Sequence, residues 1–143
     1  MRPLLHRTIP LLLLSALAPA TAFGGELRAT VTNVKPEQGK LMVAVYESAE
    51  SFKAGRRFAA AILHPVDAMV DVAFGGLPPG RYAVAVFQDL NRNETLDTNL
   101  FGVPTEPYGF SRDAAGSFGP PPFDAMAVAV DDETADTTVT LTP

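Results

Sequence analysis

Asp89, Asn91, Asn93 and Asp97 all carry side-chain oxygens and fall at odd-numbered positions of one polar run, Asp89-Leu90-Asn91-Arg92-Asn93-Glu94-Thr95-Leu96-Asp97-Thr98-Asn99. If the chain curls there, those oxygens meet at one point and can hold a hard cation such as Ca²⁺, with the Thr95 carbonyl as a further ligand. The run is not an EF-hand loop. Glu94 stands where glycine would make the sharp turn, and Leu100 where a bidentate glutamate would close the shell. The chemistry expected is a looser loop of the extracellular kind, formed by Asp89, Asn91, Asn93, Thr95 and Asp97 and supplemented by Glu94, Asn99 or Glu106. Its affinity for calcium should be weak, about 10⁻⁴ to 10⁻³ M. The competing reading is turn chemistry alone, since Asp and Asn side chains readily bond their own backbone.

A second candidate surface lies downstream, in an aromatic and glycine-rich segment from Pro104 to Phe123. Tyr108-Gly109-Phe110-Ser111 is its centre, where a ring could stack on a small ligand or dock an envelope partner. The alternative is that these rings cap the end of the core. The segment Ser48 to Phe58 holds the basic cluster Lys53, Arg56 and Arg57, suited either to an anion or to the solvated side of a connecting turn.

Catalysis needs an acid, a base or a nucleophile with a partner. Beyond the leader segment His64 is the only histidine, it precedes Pro65, and no Gly-x-Ser-x-Gly motif accompanies it. One histidine and no cysteine make a poor zinc set. Asp89, Asp97, Glu106, Asp113 and Asp124 leave a carboxylate-based hydrolase as the third-ranked reading. The expectation is a non-catalytic protein.

The elements that must position these residues read as strands. Leu27, Ala29 and Val31 alternate with Arg28, Thr30 and Thr32, so Glu26 to Val34 is a half-buried strand. After a turn at Lys35 to Gly39, Lys40 to Glu47 is apolar on both faces. Met69 to Phe74 alternates, Gly75 to Gly80 is a turn, and Arg81 to Gln88 is again apolar on both faces, which places it mid-sheet and delivers Asp89 at its end. Ala59 to Leu63 is too short to assign, Leu100 to Phe123 shows no sustained period, and Ala125 to Val130 and Thr137 to Leu141 close the chain. About seven strands and almost no helical period predict an all-β, single-domain Greek-key β-sandwich, Ig- or transthyretin-like, with one long Gly/Pro/aromatic loop.

Residues 1–22 read as a secretory signal: Arg2, His6 and Arg7 precede the apolar Ile9 to Leu17, and Ala20-Thr21-Ala22 is an Ala-x-Ala cleavage site. The domain is then 23–143, cleaved after Ala22 and located in the periplasm or secreted. The apolar core of the signal is short of the roughly 20 residues that span a bilayer. Losing Arg2 and Arg7 leaves nine basic residues against 16 acidic ones, a balance that disfavours nucleic acid. With no cysteine there are no disulfides and no lipid-attachment site, so a soluble product is expected.

The run Leu77-Pro78-Pro79-Gly80-Arg81-Tyr82-Ala83-Val84-Ala85-Val86, then Gln88 to Asn93, Leu96 to Asn99, Gly102 to Ser111 and Pro122 to Met126, resembles the DUF2141 family of exported bacterial proteins. The resemblance covers nearly all of the chain after the signal and implies an uncharacterised role. A Pro-Gly turn before Tyr-x-Val-x-Val is also similar to transthyretin-like and carboxypeptidase-regulatory-like sandwiches, which bears on fold alone. In the family pattern a glycine usually follows the second asparagine; here Glu94 does.

Overall fold

The computed structural model describes residues 24–143, so the expected signal and its cleavage site lie outside the described residues. The described residues build eight strands in two sheets: β1 (Gly25–Thr32), β2 (Lys40–Tyr46), β3 (Ala59–Leu63), β4 (Val70–Leu77), β5 (Gly80–Asp89), β6 (Tyr108–Phe110), β7 (Val128–Val130) and β8 (Thr134–Thr140). Two short α-helical turns, α1 (Ala49–Lys53) and α2 (Phe123–Met126), and a 3₁₀ turn at Ser111–Asp113 interrupt them. One sheet is three-stranded, in the order β4-β1-β8. The other runs β3-β2-β5-β6, with β7 also on β5. The all-β sandwich expected from the strand pattern is what forms.

Alternation explains which faces meet. Leu27, Ala29 and Val31 of β1 and Val139 of β8 are fully buried against Leu41, Val43 and Val45 of β2 and Tyr82, Val84 and Val86 of β5. Each large aliphatic side chain so buried contributes roughly 1.5–3 kcal/mol. The three-stranded sheet is closed by a parallel pair, with β1 and β8 in register from Glu26 opposite Thr134 to Thr32 opposite Thr140. β4 pairs with β1 antiparallel, and a bulge lies between Gly25 and Leu27.

Several boundaries differ from the sequence expectation. Ala59 to Leu63 is a strand, paired antiparallel with β2, although its alanines gave no contrast between faces. β4 continues through Gly75 and Gly76 to Leu77, which narrows the turn to Pro78-Pro79. Tyr108–Phe110 is a strand inside the stretch that shows no period; three residues are too few to display one, and the pairing with Ala85 to Phe87 organises them. Ala125 and Met126 belong to α2, so β7 starts only at Val128. Thr134 is the first residue of β8, ahead of Thr137. The connecting segment after β2 does make a single helical turn, capped by Ser48 and Ser51, whose hydroxyls each accept from the other residue's backbone N–H.

At the β4–β5 corner the Tyr82 hydroxyl donates to the Pro78 carbonyl at 2.7 Å. This is the tyrosine-corner arrangement of Greek-key sandwiches, in which one buried phenol pins the chain's passage between sheets. Burial, with Glu47 adding a smaller electrostatic push, raises the Tyr82 phenol above its ordinary value.

Candidate functional site

β5 carries residues of opposite use to its two faces. Gln88, fully buried on the inner side, donates to the carbonyls of Lys35 and Gln38 and accepts from Lys35 N–H at 2.9 Å. It ties the β1–β2 turn to the end of β5. Gly39 completes that junction: it has φ +59°, and a Cβ there would lie 2.1 Å from the Asp89 carbonyl oxygen, so a side chain is excluded on both counts. Nothing in the sequence pattern singled out Gln88, because its partners are backbone groups distant in the chain.

Asp89, the next residue, is fully buried, and its carboxylate is held by the backbone of the loop it opens: Oδ1 accepts from Asn93 N–H at 3.1 Å and Oδ2 from Glu94 N–H at 2.8 Å. Charge-assisted bonds of this kind are about twice as strong as neutral ones. They hold Glu94 at φ 64°, the left-handed region, where glycine is the usual residue. Glu94 then reaches Lys40 Nζ at 3.1 Å. Glu106, also buried, clamps the base of the loop by accepting from Leu90 N–H at 2.8 Å and Asp97 N–H at 3.1 Å.

The loop's oxygen-bearing side chains do converge. Asn93 N–H lies within hydrogen-bonding distance of both Asp89 Oδ1 and Asn91 Oδ1, and the Asp97 carboxylate accepts from the side-chain amides of both Asn91 and Asn93. Each amide thus supplies part of a positive charge to Asp97. A Ca²⁺ ion would displace those two donors and turn the carboxamides so that oxygen faces inward. Thr95 contributes its N–H to Asn93 Oδ1 at 3.0 Å and is exposed. Among the described residues no group of three or more His, Cys, Asp or Glu side chains is close enough to hold a metal, so any ion here relies on two carboxylates and on amide and carbonyl oxygens.

Asn99 carries the chain out of the loop. Its Oδ1 accepts from Phe101 N–H and Val103 N–H, which projects Leu100 and Phe101 into solvent at 100% and 90% exposure. Phe118, on the following loop, is exposed as well. Phe101 and Phe118 line one depression of about 540 Å³ that extends to Leu96, Tyr108 and Phe110. A second depression of about 320 Å³ begins at those last three residues and crosses the outer face of the five-stranded sheet over Ala85, Ala44 and Ala60.

The aromatic tetrapeptide splits between two roles. Tyr108 and Phe110 are half-buried on the outer face and line both depressions, and Phe110 stacks edge-on with Phe52 of α1 at 6.2 Å, itself edge-on to Tyr46 at 5.1 Å. Gly109 and Ser111 are buried on the other side. A Cβ on Gly109 would meet the Thr140 carbonyl at 2.7 Å, and the Ser111 hydroxyl accepts from Val84 N–H and donates to the Met126 carbonyl. The outer-face alanines were missed in the sequence because a strand apolar on both faces reads as one covered on both faces.

The other carboxylates considered for hydrolysis have partners of their own. Asp113 accepts from Thr140 N–H at 2.7 Å, and Asp124 pairs with Arg81 at 2.8 Å. His64 is exposed. Among the described residues no helix is long and apolar enough to cross a membrane.

Comparison with curated proteins and with solved structures gave no match. A family described as "Uncharacterized protein conserved in bacteria" (DUF2141) matches residues 29–138, from the middle of β1 into β8 and across the whole acidic loop and aromatic segment, and the chain belongs to that family.

Proposed function

We propose that the protein is an exported, non-catalytic binding module of the bacterial envelope, and that its working surface is the outer face of the five-stranded sheet together with the loop tips beside it. The observation that carries this reading is the pair of apolar depressions meeting at Leu96, Tyr108 and Phe110, beside side chains as exposed as Leu100, Phe101 and Phe118. Large apolar groups held out by ordered hydrogen bonds are a feature of interaction sites. Export is supported by the leader-like residues 1–22, in which Arg2, His6 and Arg7 precede an apolar run and an Ala-x-Ala site. The test is binding of an environment-sensitive apolar dye to the mature domain. Fluorescence should rise on binding and fall at least several-fold in Tyr108→Ser/Phe110→Ser; equal binding by the double variant, with the fold intact, would remove this surface from consideration.

Convergence of Asp89, Asn91, Asn93 and Asp97 favours a second element of the reading, a weak calcium site that stiffens the loop beneath Leu100 and Phe101. The ion would replace the amide hydrogens now serving Asp97 and fix the direction in which the loop tip projects. Thermal unfolding in EDTA, millimolar calcium and millimolar magnesium is the measurement. An ion that binds only the folded state adds about 2.7 kcal/mol at 100 times its dissociation constant. A calcium-specific rise that disappears in Asp97→Ala is expected; Asp97 is the informative position because Asp89 holds the loop backbone regardless of metal. No rise up to about 10 mM, beyond the weak extracellular range, would reduce the loop to hydrogen-bonded turn chemistry.

A further inference from the structure

The strand register turns the outer sheet face into a trough with a direction. Ile62, Met42, Phe87 and Tyr108 stand side by side on β3, β2, β5 and β6, and two residues along, Ala60, Ala44, Ala85 and Phe110 form the next row. Three alanines in line, between the first ridge and Tyr46 on the far side, leave a channel crossing the strands. With strands about 4.8 Å apart, four of them give a length of roughly 14 Å, and the two ridges, four residues or about 13 Å apart along β2 between backbone positions, leave between their side chains a width that suits a single alkyl chain better than a helix. The inner end meets Phe110 and opens into the depression under Phe101 and Phe118. At the β3 edge, Arg57 lines the same channel.

Arg57 is exposed and makes no ion pair among the described residues, and neither do its neighbours Lys53 and Arg56. It is the cationic end of an otherwise uncharged floor in a chain of net charge −5. Glu94, the other charged group on the rim, is engaged by Lys40. An apolar channel with one unpaired cation at its mouth is complementary to an apolar chain with one anionic end.

We propose that the trough binds a free single-chain fatty carboxylate, its head at Arg57 and its chain lying over Ala60, Ala44 and Ala85 toward Phe110. This rests on the reading of the outer face as a binding surface and adds the chemical class of the ligand. The guanidinium offers paired N–H donors matched to a carboxylate, and the channel floor removes methylenes from water.

Displacement of a fluorescent fatty-acid analogue from the mature domain by dodecanoate, dodecanol and dodecyltrimethylammonium, the two ions below their micellar concentrations and dodecanol below its solubility limit, tests it. Dodecanoate should compete about tenfold better than dodecanol, the cation worst, and Arg57→Gln should remove the advantage of dodecanoate while leaving dodecanol unchanged. Ala85→Phe, which fills the channel, should abolish binding of all three; Ala44→Leu repeats that block at a second position should Ala85→Phe fail to fold. Equal competition by dodecanoate and dodecanol, or an unchanged preference in Arg57→Gln, would overturn the anionic-head assignment while leaving the apolar surface standing. Undiminished binding in both channel-filling variants would overturn the trough as the site. Binding of the dye alone, with no displacement by any of the three amphiphiles, would overturn the ligand class and keep the surface.

Discussion

Glu94 occupies a left-handed conformation that costs a side-chain-bearing residue roughly 1–2 kcal/mol. What it receives in return is an ion pair with Lys40 whose glutamate side is 59% exposed, and such pairs are worth about 0–1 kcal/mol. The backbone bond from its N–H to Asp89 would survive replacement by glycine. Glu94→Gly is therefore expected to stabilise the domain by about 0.5–1 kcal/mol in denaturant unfolding, once glycine's greater freedom in the unfolded chain is subtracted. A loss of stability would mean that Lys40 matters more than exposure suggests. The sequence pattern indicated that Asp89, Asn91, Asn93 and Asp97 could meet if the chain curled, and hydrogen bonds do link Asn91 and Asn93 to Asp97. It could not indicate that both oxygens of Asp89 are taken up by backbone N–H groups, because spacing says which residues can meet and nothing about which donors reach them first. Glu106 illustrates the same limit: considered as a supplementary ligand, it is a clamp on Leu90 and Asp97 N–H.

At the scale of elements, the strands that alternate or are long were legible, β1, β2, β5 and most of β4. β3 was not, since Ala59 and Ala61 face the core and Ala60 faces solvent with the same side chain. β6 has no signal of its own and exists because β5 supplies an edge. The corner between β4 and β5 rests on Tyr82, and its hydroxyl gives the element a pH dependence. With the folded phenol raised above its unfolded value, the un-ionised form is favoured in the fold. The contribution is fully present below the unfolded value of about 10 and is lost as pH climbs through the folded value. Tyr82→Phe should cost about 1 kcal/mol at neutral pH, leaving the Pro78 carbonyl without its donor. Its stability should also fall less steeply than wild type above pH of about 10. Parallel declines in the two proteins would place the alkaline sensitivity elsewhere.

For the whole molecule, the decisive pairing joins the beginning of the domain to its end. β1 lies between β4 and β8 at the centre of its sheet, and its Leu27, Ala29 and Val31 are fully buried in the core. Removing 134–143 should therefore abolish the cooperative unfolding transition rather than lower its midpoint. A truncated domain that still melts in one sharp step would show β4 and the second sheet to be sufficient. Thr32 and Thr140, neighbours in that pair, are 108 residues apart in sequence. Loops so long close slowly, and pairings of this range put a β-protein among the slower folders. The consequence concerns timing during synthesis. As the ribosome releases the chain from its first residue onward, β1 emerges early but must wait for nearly the entire domain before its parallel partner exists. Until then the nascent polypeptide lacks its closing strand and remains threadable, the condition that the proposed export would require for passage through a translocation channel in an extended state.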